Sequence, residues 1–217
     1  MATNFGHNTK YKASTSKPEL LYYSDFDESG KLDIVEAKYE GNDLVPRRGF
    51  SCSQLAMPFI KDKMKSFHNF ASSSLSGIYS KTSISSATKY EINTLESGVF
   101  INEKTHFKFI KLPPEAQIAP SFGSTVTDIN EDGIADIVLA QNFYGPQRET
   151  GRMDGGLSLI LLGLGDCRFK SIPHKDSGIH ILGDTREVHS IDINNDGSDE
   201  LIFALNNGPL MIYSKNK

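Results

Sequence analysis

The chain has 217 residues, with 23 lysine and arginine residues against 27 aspartate and glutamate residues and a formal net charge of −4. This length allows one large domain or two small ones, and the composition is ordinary for a folded protein. No lysine and arginine run and no basic stripe with interleaved aromatic residues is present, so no nucleic-acid partner is expected. No segment approaches the roughly 20 apolar residues of a transmembrane helix, so no membrane span is expected.

The first predicted elements are two short strands, at about 20–24 and 32–37, rich in apolar and aromatic residues. The segment between them, Asp25-Phe-Asp-Glu-Ser-Gly-Lys-Leu-Asp33, has oxygen-bearing side chains at positions 1, 3, 5 and 9 and glycine at position 6. Alternate residues of such a loop point inward, glycine permits a sharp turn, and the backbone carbonyl at position 7 adds an oxygen. The loop therefore predicts a calcium site.

A change of composition follows, because residues 46–94 are rich in serine, lysine and methionine. Apolar residues there recur at helical spacing, with Pro58 near the start of the predicted helix. The apolar positions of this helix are Ile60, Met64, Phe67 and Ala71. A second short helix is predicted around Ile78. The segment is therefore interpreted as a helical insertion in the first repeat.

The acidic pattern occurs twice more, in Asp128-Ile-Asn-Glu-Asp-Gly-Ile-Ala-Asp136 and in Asp192-Ile-Asn-Asn-Asp-Gly-Ser-Asp-Glu200. Both loops lie between apolar or alternating runs that are too short for helices and are interpreted as strands. The predicted side-chain ligands are Asp25, Asp27, Ser29 and Asp33, then Asp128, Asn130, Asp132 and Asp136, then Asp192, Asn194, Asp196 and Glu200. The predicted carbonyl ligands belong to Lys31, Ile134 and Ser198.

Two to three calcium ions are expected in these loops. The first site is predicted to be the weakest because Ser29 is a poorer ligand than aspartate, unless Glu36 or a water molecule compensates. Asp, Asn and Gly also form turns without metal. Three matches in register favour metal, because carboxylates held so close together repel one another unless a cation lies among them. A helix-loop-helix calcium hand is disfavoured, since position 12 is Glu36 in the first loop but Leu139 and Phe203 in the others.

The loops recur within a longer repeat. Each loop joins the first two strands of a unit, and third strands are predicted at 95–101, 153–159 and 206–212. Fourth strands are predicted at 106–110 and 168–172. A repeated four-stranded sheet is typical of a propeller blade. The predicted fold is therefore all-β: a partial β-propeller of about three four-stranded blades, formed by the whole chain as one region.

The predicted blades span about 19–111, 121–173 and 186–214, with the helical insertion at 46–94 in the first. The third blade lacks a fourth strand, and residues 8–13 are the candidate for a closing strand. Propellers typically close with about four to eight blades. The chain is therefore expected to be part of a larger propeller or to assemble with another copy of itself.

The three loops resemble the calcium motif of the FG-GAP/VCBS repeat family, whose β-propellers include the integrin α-subunit head. A closer likeness covers nearly the whole chain, because several stretches resemble the C-terminal half of bacterial proteins similar to cartilage acidic protein. These stretches are 4–11, 96–102, 112–120 and 150–156. The resemblance implies an extracellular or periplasmic, non-catalytic propeller that binds calcium at the matching loop positions and also binds a partner.

Candidate catalytic groups do not converge along the chain, since none of the six histidines has a metalloprotease-type spacing and no nucleophile elbow occurs. The expected function is a non-catalytic calcium-binding module for a protein or glycan partner. The alternative is a hydrolase or lyase with a site in the central channel. A loop face with Phe143, Tyr144, Arg148 and Arg152 would favour the module, whereas inward-facing histidines and acids not committed to calcium would favour the enzyme.

The loops also bear on location. Short loops that mostly lack a bidentate glutamate are expected to bind calcium weakly, in the roughly 10⁻⁴–10⁻³ M range of extracellular modules. Such sites would be largely empty in the cytosol. An extracellular or periplasmic location is therefore expected, with the cytoplasm as the alternative.

Overall fold

A computed structural model describes residues 1–148 and 150–215. The chain forms two compact units. The N-terminal unit is Tyr11–Thr94, and the C-terminal unit combines Met1–Lys10 with the chain from Leu95 onward. Strand pairing is antiparallel in all four sheets of the described residues, in agreement with an all-β fold, and no sheet among them closes on itself.

One four-stranded sheet organises the N-terminal unit, in the order β3-β2-β1-β4. Its strands are β1 (Glu19–Ser24), β2 (Asp33–Glu40), β3 (Asp43–Pro46) and β4 (Thr88–Ile92). Between β3 and β4 the chain forms α1 (Phe50–Ala56), α2 (Phe59–Met64), α3 (Phe67–Ala71), α4 (Leu75–Tyr79) and α5 (Lys81–Ser86). Strand residues such as Leu20, Val35 and Ala37 form one core with helix residues such as Ile60 and Ile78. The helices therefore cover one face of the sheet.

The helical insertion is present, but the helix predicted from Ile60 to Ala71 is interrupted. Lys65 takes a left-handed conformation with φ of 64° and ends α2. The hydroxyl of Ser66 then accepts a hydrogen bond from Asn69 N–H at 3.1 Å and begins α3. This break shifts the register, so that Phe67 is exposed and Phe70 is buried instead.

The strand membership predicted for the first blade is wrong. The segments 98–102 and 107–111 form a separate two-stranded sheet in the C-terminal unit. The partners of β1 and β2 are instead β4 and β3. The reason is local: Gly41, with φ of 60°, and Asn42 form a two-residue turn that folds β3 directly back on β2.

The C-terminal unit contains three sheets. The first pairs β5 (Gly98–Asn102) with β6 (Phe107–Lys111). After a 3-10 helix at Pro114–Gln117, the second has the order β10-β9-β8-β7. Its strands are β7 (Ser121–Thr127), β8 (Asp136–Gln141), β9 (Leu159–Gly163) and β10 (Phe169–Ser171). A short helix, α6 (His174–Ser177), precedes the third sheet, which is formed by β11 (Thr185–Ile191), β12 (Glu200–Leu205) and β13 (Leu210–Tyr213).

These three sheets pack face to face, with β7–β10 in the middle. Ile137 and Leu139 of β8 enter one core with Val99 and Ile110 of the β5–β6 hairpin. Their neighbours Val138 and Ala140 point to the opposite face and enter a second core with β11–β13. Because successive side chains of a strand alternate between faces, β8 is buried on both sides.

Two further predictions about strands are corrected. Residues 8–13 lie outside any strand, so they do not close the third sheet. The backbone N–H of Lys12 instead donates to the Glu19 carboxylate at 2.9 Å, within the N-terminal unit. The third strand predicted at 153–159 begins only at Leu159, because Ser158 just before it has a left-handed φ of 61° that does not fit an extended strand.

None of the helices in the described part of the chain has the length and apolar character needed to cross a bilayer.

The Glu96 carboxylate, just before β5, gives the C-terminal unit a predicted pH dependence. Burial opposes its ionisation, but hydrogen bonds from Lys111 and His7 prevail and lower the pKa of Glu96 to about 2. A carboxyl whose pKa falls on folding stabilises the protein above its unfolded pKa, and this contribution is lost as the pH falls through the folded value. We expect stability to decline between about pH 4.5 and 2.

The measurement is urea unfolding at several acidic pH values for the wild type and for Glu96→Gln. The variant should be less stable near neutral pH and should show a flatter decline in acid, since its amide does not titrate. Equal slopes for the two proteins between pH 4.5 and 2 would contradict this account of Glu96.

Candidate metal-binding loops

The three acidic loops have one geometry and connect equivalent strands. In each, the residue just before the first aspartate pairs across the hairpin with the acidic residue at position 9. These pairs are Ser24 with Asp33, Thr127 with Asp136, and Ile191 with Glu200. The loops therefore join β1 to β2, β7 to β8, and β11 to β12 in the same register.

The hydrogen bonds within the loops repeat as well. In the second loop, the Asp128 carboxylate accepts from the backbone N–H of Asp132 at 3.1 Å and of Gly133 at 2.8 Å. Asp25 and Asp192 accept the same two bonds in the other loops. The side chain at position 5 accepts from the N–H at position 7 in all three, through a hydroxyl oxygen in Ser29 and a carboxylate oxygen in Asp132 and Asp196. Ser29 thus occupies the aspartate position of the pattern.

Position 6 is glycine in each loop because the backbone there is left-handed. The φ angles are 81° for Gly30, 83° for Gly133 and 86° for Gly197. Position 4 is also left-handed, with φ of 58° at Glu28 and 62° at Glu131. The repeated dihedral pattern turns the chain so that positions 1, 3 and 5 face the same interior.

Replacing Gly133 with alanine should therefore destabilise the protein through backbone strain alone, because no atom lies within 4 Å of the added Cβ. The expected loss is about 1–2 kcal/mol, the penalty for an L-residue in the left-handed region. Gly145→Ala is the control, since its φ is not positive and its nearest atom lies at an ordinary 3.8 Å. Urea unfolding of both variants measures the difference, and equal stability would contradict the strain argument.

The acidic residue at position 9 ties each loop to its hairpin. Asp136 is fully buried, and its carboxylate accepts from the N–H of Ile129 at 2.8 Å and of Gly163 at 2.8 Å. Asp33 accepts from the N–H of Phe26, and Glu200 accepts from the N–H of Ile193. Position 9 therefore has a structural role that does not depend on metal.

Asp136→Ala should lower the free energy of unfolding by about 3 kcal/mol, because one buried and one partly buried N–H group lose their acceptor at roughly 1–3 kcal/mol each. Asp136→Asn keeps one acceptor oxygen and should lose less. Both are measured by urea unfolding in a chelator, so that metal makes no contribution. A loss below about 1 kcal/mol for the alanine variant would contradict the structural role of position 9.

Acidic side chains converge most closely in the first loop. Carboxylate oxygens of Asp25, Asp27 and Asp33 all lie within 4.8 Å of one another and could hold a metal ion. Among the described residues, this is the one group of three or more histidine, cysteine, aspartate or glutamate side chains with that spacing. The second and third loops also have three acidic ligands each, but at positions 1, 5 and 9, with asparagine at position 3.

The two asparagines make different contacts. Asn130 donates its side-chain amide to Asp132 at 2.8 Å, and Asn194 donates to Glu200 at 3.1 Å. Their carbonyl oxygens accept from the N–H at position 5. In each loop positions 1, 3 and 5 thus share one hydrogen-bonded network, although only the first loop forms the three-acid cluster.

Two carboxylates of the first loop, Asp33 and Asp27, have shifted pKa values. Burial raises the pKa of Asp33, against the hydrogen bond from Phe26 N–H, and the negative charges of Asp27 and Asp25 add to the rise. The hydroxyl of Ser29 and backbone hydrogen bonds lower the pKa of Asp27. A cation among these carboxylates would stabilise the ionised form of each.

Glu36 does not belong to the first loop. It lies within β2, opposite Leu21, and its carboxylate is 3.4 Å from Arg48 Nε. Its backbone carbonyl accepts from Arg47 N–H. The suggestion that Glu36 compensates for Ser29 is therefore not supported, and the low affinity of the first loop stays a prediction.

Aromatic and arginine side chains gather at the opposite ends of the same strands, where β7 and β11 begin. The guanidinium of Arg186 lies 4.1 Å from the ring centre of Phe122 and 5.0 Å from that of Phe143. Arg152 lies 3.4 Å from the ring centre of Tyr144. We call this group the aromatic–arginine cluster. It contains Phe143, Tyr144 and Arg152, three of the four residues predicted for a binding face. The fourth, Arg148, is exposed in the same connection between β8 and β9.

Comparison with known proteins found no protein-family model and no curated protein that matches the chain.

Proposed function

We propose that the protein is a non-catalytic, calcium-binding β-propeller module of the FG-GAP/VCBS type that binds a protein or glycan partner. The observation that carries the proposal is the threefold repeat of one loop geometry, with the same register, hydrogen bonds and left-handed positions. Backbone hydrogen bonds already account for the acid at position 9. The support for metal therefore comes from positions 1, 3 and 5, whose oxygen-bearing side chains face one interior in every copy.

The donor chemistry supports calcium over other metals. The proposed ligands are carboxylate, amide, hydroxyl and backbone carbonyl oxygens, with no histidine nitrogen or cysteine sulfur among them. Calcium prefers six to eight oxygen ligands in flexible geometry, whereas zinc and copper favour nitrogen and sulfur. Positions 1, 3, 5, 7 and 9 of each loop are the proposed ligand positions, with the carbonyl oxygens of Lys31, Ile134 and Ser198 at position 7.

The propeller part of the proposal is supported by the layered sheets of the C-terminal unit. The sheets β7–β10 and β11–β13 begin with the same hairpin, and their facing side chains form one core. Radial repetition of such sheets is the architecture of a propeller. The aromatic–arginine cluster is the proposed partner surface, since aromatic and arginine side chains are enriched where proteins bind partners.

Weak calcium loops suit a compartment rich in calcium, so we propose an extracellular or periplasmic location. The hydrolase or lyase alternative has no observation of its own in its favour. No histidine belongs to a group of metal-ligating residues in the described part of the chain, and the acidic cluster is accounted for by the calcium loops.

Equilibrium dialysis with calcium tests the proposal. At about 2 mM free calcium, above the affinity range expected for such modules, the wild type should bind two to three ions per chain. Asp25→Ala, Asp128→Ala and Asp192→Ala should each bind one ion fewer, if their loops are among those filled.

Glu28→Ala is the matched control, because this exposed acid sits at position 4 and is not a proposed ligand. It should bind as many ions as the wild type. If the wild type retains no calcium at this concentration, or if the control loses as much as the loop variants, the metal assignment is wrong.

A further inference from the structure

A cavity of about 340 Å³ lies in the N-terminal unit, between β2 and α1. One wall is formed by β2 around Ile34 and Glu36, and the other by α1 around Cys52 and Ala56. The described residues that line it include none of the proposed calcium ligands and none of the aromatic–arginine cluster. Its volume is at the lower end of the range for ligand pockets, so the cavity suits a small molecule.

The backbone edge of β2 is open where it borders this cavity. In the described chain β3 pairs with β2 from Ala37 to Glu40 and no further, so Ile34 has a strand partner on the β1 side alone. On the other side, the Glu36 carbonyl accepts a hydrogen bond from Arg47 N–H at 2.9 Å. Because the backbone groups of successive strand residues alternate between the two sides, the N–H and C=O of Ile34 point the same way as those of Glu36. The cavity therefore offers an occupant one backbone donor and one backbone acceptor.

Glu36 and Arg48 are the charged side chains among the described residues that line the cavity. Arg48 Nε lies 3.4 Å from Glu36 Oε2, but this oxygen is buried and accepts no hydrogen bond from any described residue. A buried acceptor without a donor costs free energy, so an occupant that brings a donor to Glu36 is stabilised. The two charges cancel, which favours an occupant that carries one charge of each sign.

Apolar side chains form another part of the lining. They include Leu21, Val35, Ala56 and Met57, of which Val35 and Met57 are buried. In ligand pockets, apolar side chains enclose the body of the ligand while a small number of polar groups fix its orientation. The cavity combines both features, because the apolar lining lies beside a carboxylate, a guanidinium and an open strand edge.

We propose that this cavity binds a free amino acid with an apolar side chain. The ammonium group of the ligand donates to the unpartnered oxygen of Glu36, and its carboxylate accepts from Arg48 and from the Ile34 N–H. Its side chain lies against the apolar lining. A peptide strand fits less well, because the Glu36 carbonyl already binds Arg47 and strand addition needs a longer open edge than Ile34 alone provides.

Isothermal titration calorimetry with L-leucine tests the proposal, in calcium and separately in chelator. The wild type should bind L-leucine. It should bind isocaproate and isoamylamine at least about tenfold more weakly, because each of these analogues lacks one of the two charged groups of leucine. Equal affinity for either analogue would overturn the proposal, as would tighter binding of a leucine tripeptide that is blocked at both ends.

Two variants of the cavity locate the site. Glu36→Gln should weaken L-leucine binding by about tenfold or more, because the amide does not carry the charge that pairs with the ammonium group. Ala56→Trp should weaken it as well, since the indole fills the cavity while both charged residues remain. Glu40→Gln is the matched control, because Glu40 is exposed on the same strand and pairs with Lys38, so it should bind like the wild type.

A wild type that binds no L-leucine in either solution overturns the proposal, as does binding that both cavity variants leave unchanged. The proposal does not depend on the calcium count, so the failure of one of the two leaves the other standing.

Discussion

Calcium at 100 times its dissociation constant should raise the free energy of unfolding by about 2.7 kcal/mol for each independent loop that it fills. The effect follows from mass action, since the loops exist as preformed ligand sets only in the folded chain. Two filled loops would give roughly 5 kcal/mol, a large part of the total stability of an ordinary domain. Urea unfolding in calcium and in chelator measures the difference directly.

Magnesium provides a control on the coordination chemistry. It requires near-octahedral geometry and dehydrates reluctantly, so equal concentrations should stabilise the protein much less than calcium does. Asp128→Ala should lose the contribution of one loop, whereas Glu131→Ala, at the non-ligand position 4, should keep it. A calcium effect that is identical in both variants would show that the ion binds elsewhere.

Phe203→Ala should lower the free energy of unfolding by about 4 kcal/mol, within the range for large aromatic truncations in cores. The Phe203 side chain is fully buried between β7–β10 and β11–β13, beside Val138 and Ile160. Its removal takes away apolar contacts and leaves a cavity that hydrogen-bonded strands cannot easily close. Urea unfolding in the presence of calcium measures the loss.

Phe107→Ala provides the matched control, because this phenylalanine is 66% exposed on β6. It should change the stability by less than about 0.5 kcal/mol, as surface substitutions usually do. Equal losses for the two variants would contradict the layered packing of β7–β10 against β11–β13.

The loops and the hairpins around them were predictable because their signals are local. Glycine at position 6 is required by a φ above 80° in every copy, and the alternating acids are fixed by the same turn. The four-stranded β7–β10 meander also follows from short apolar runs in chain order. In these segments the pattern, the turn chemistry and the final packing agree.

The strand partners predicted for the first repeat are wrong, because the prediction rests on the spacing of similar segments and not on nearby turn and strand signals. The likeness of 95–101 to the later third strands suggested one blade, yet the Gly41-Asn42 turn already places β3 beside β2. The alternation of Tyr90 and Ile92 in β4 is a strand signal within a segment that was interpreted as helical. In the folded chain β1 and β2 therefore pair with β4 and β3, whereas β5 and β6 pair with each other.

The helix break at Lys65 had a readable signal as well. Ser66 followed by Asn69 suits a helix start, because serine is a preferred N-cap residue. Helical spacing alone could not reveal this, since Phe67 and Phe70 are both compatible with an apolar face. The layering of the C-terminal sheets could not be deduced from strand positions either, because it depends on contacts between residues far apart in the chain.

A crystal structure of the protein grown in excess calcium is the most direct test of the central claim. Oxygen atoms of positions 1, 3, 5, 7 and 9 should surround an ion at about 2.3–2.6 Å in at least two of the three loops. The position 9 carboxylate should keep its bond to the N–H at position 2. Loops without ions at millimolar calcium, with their carboxylates bound only to backbone N–H groups, would contradict the account.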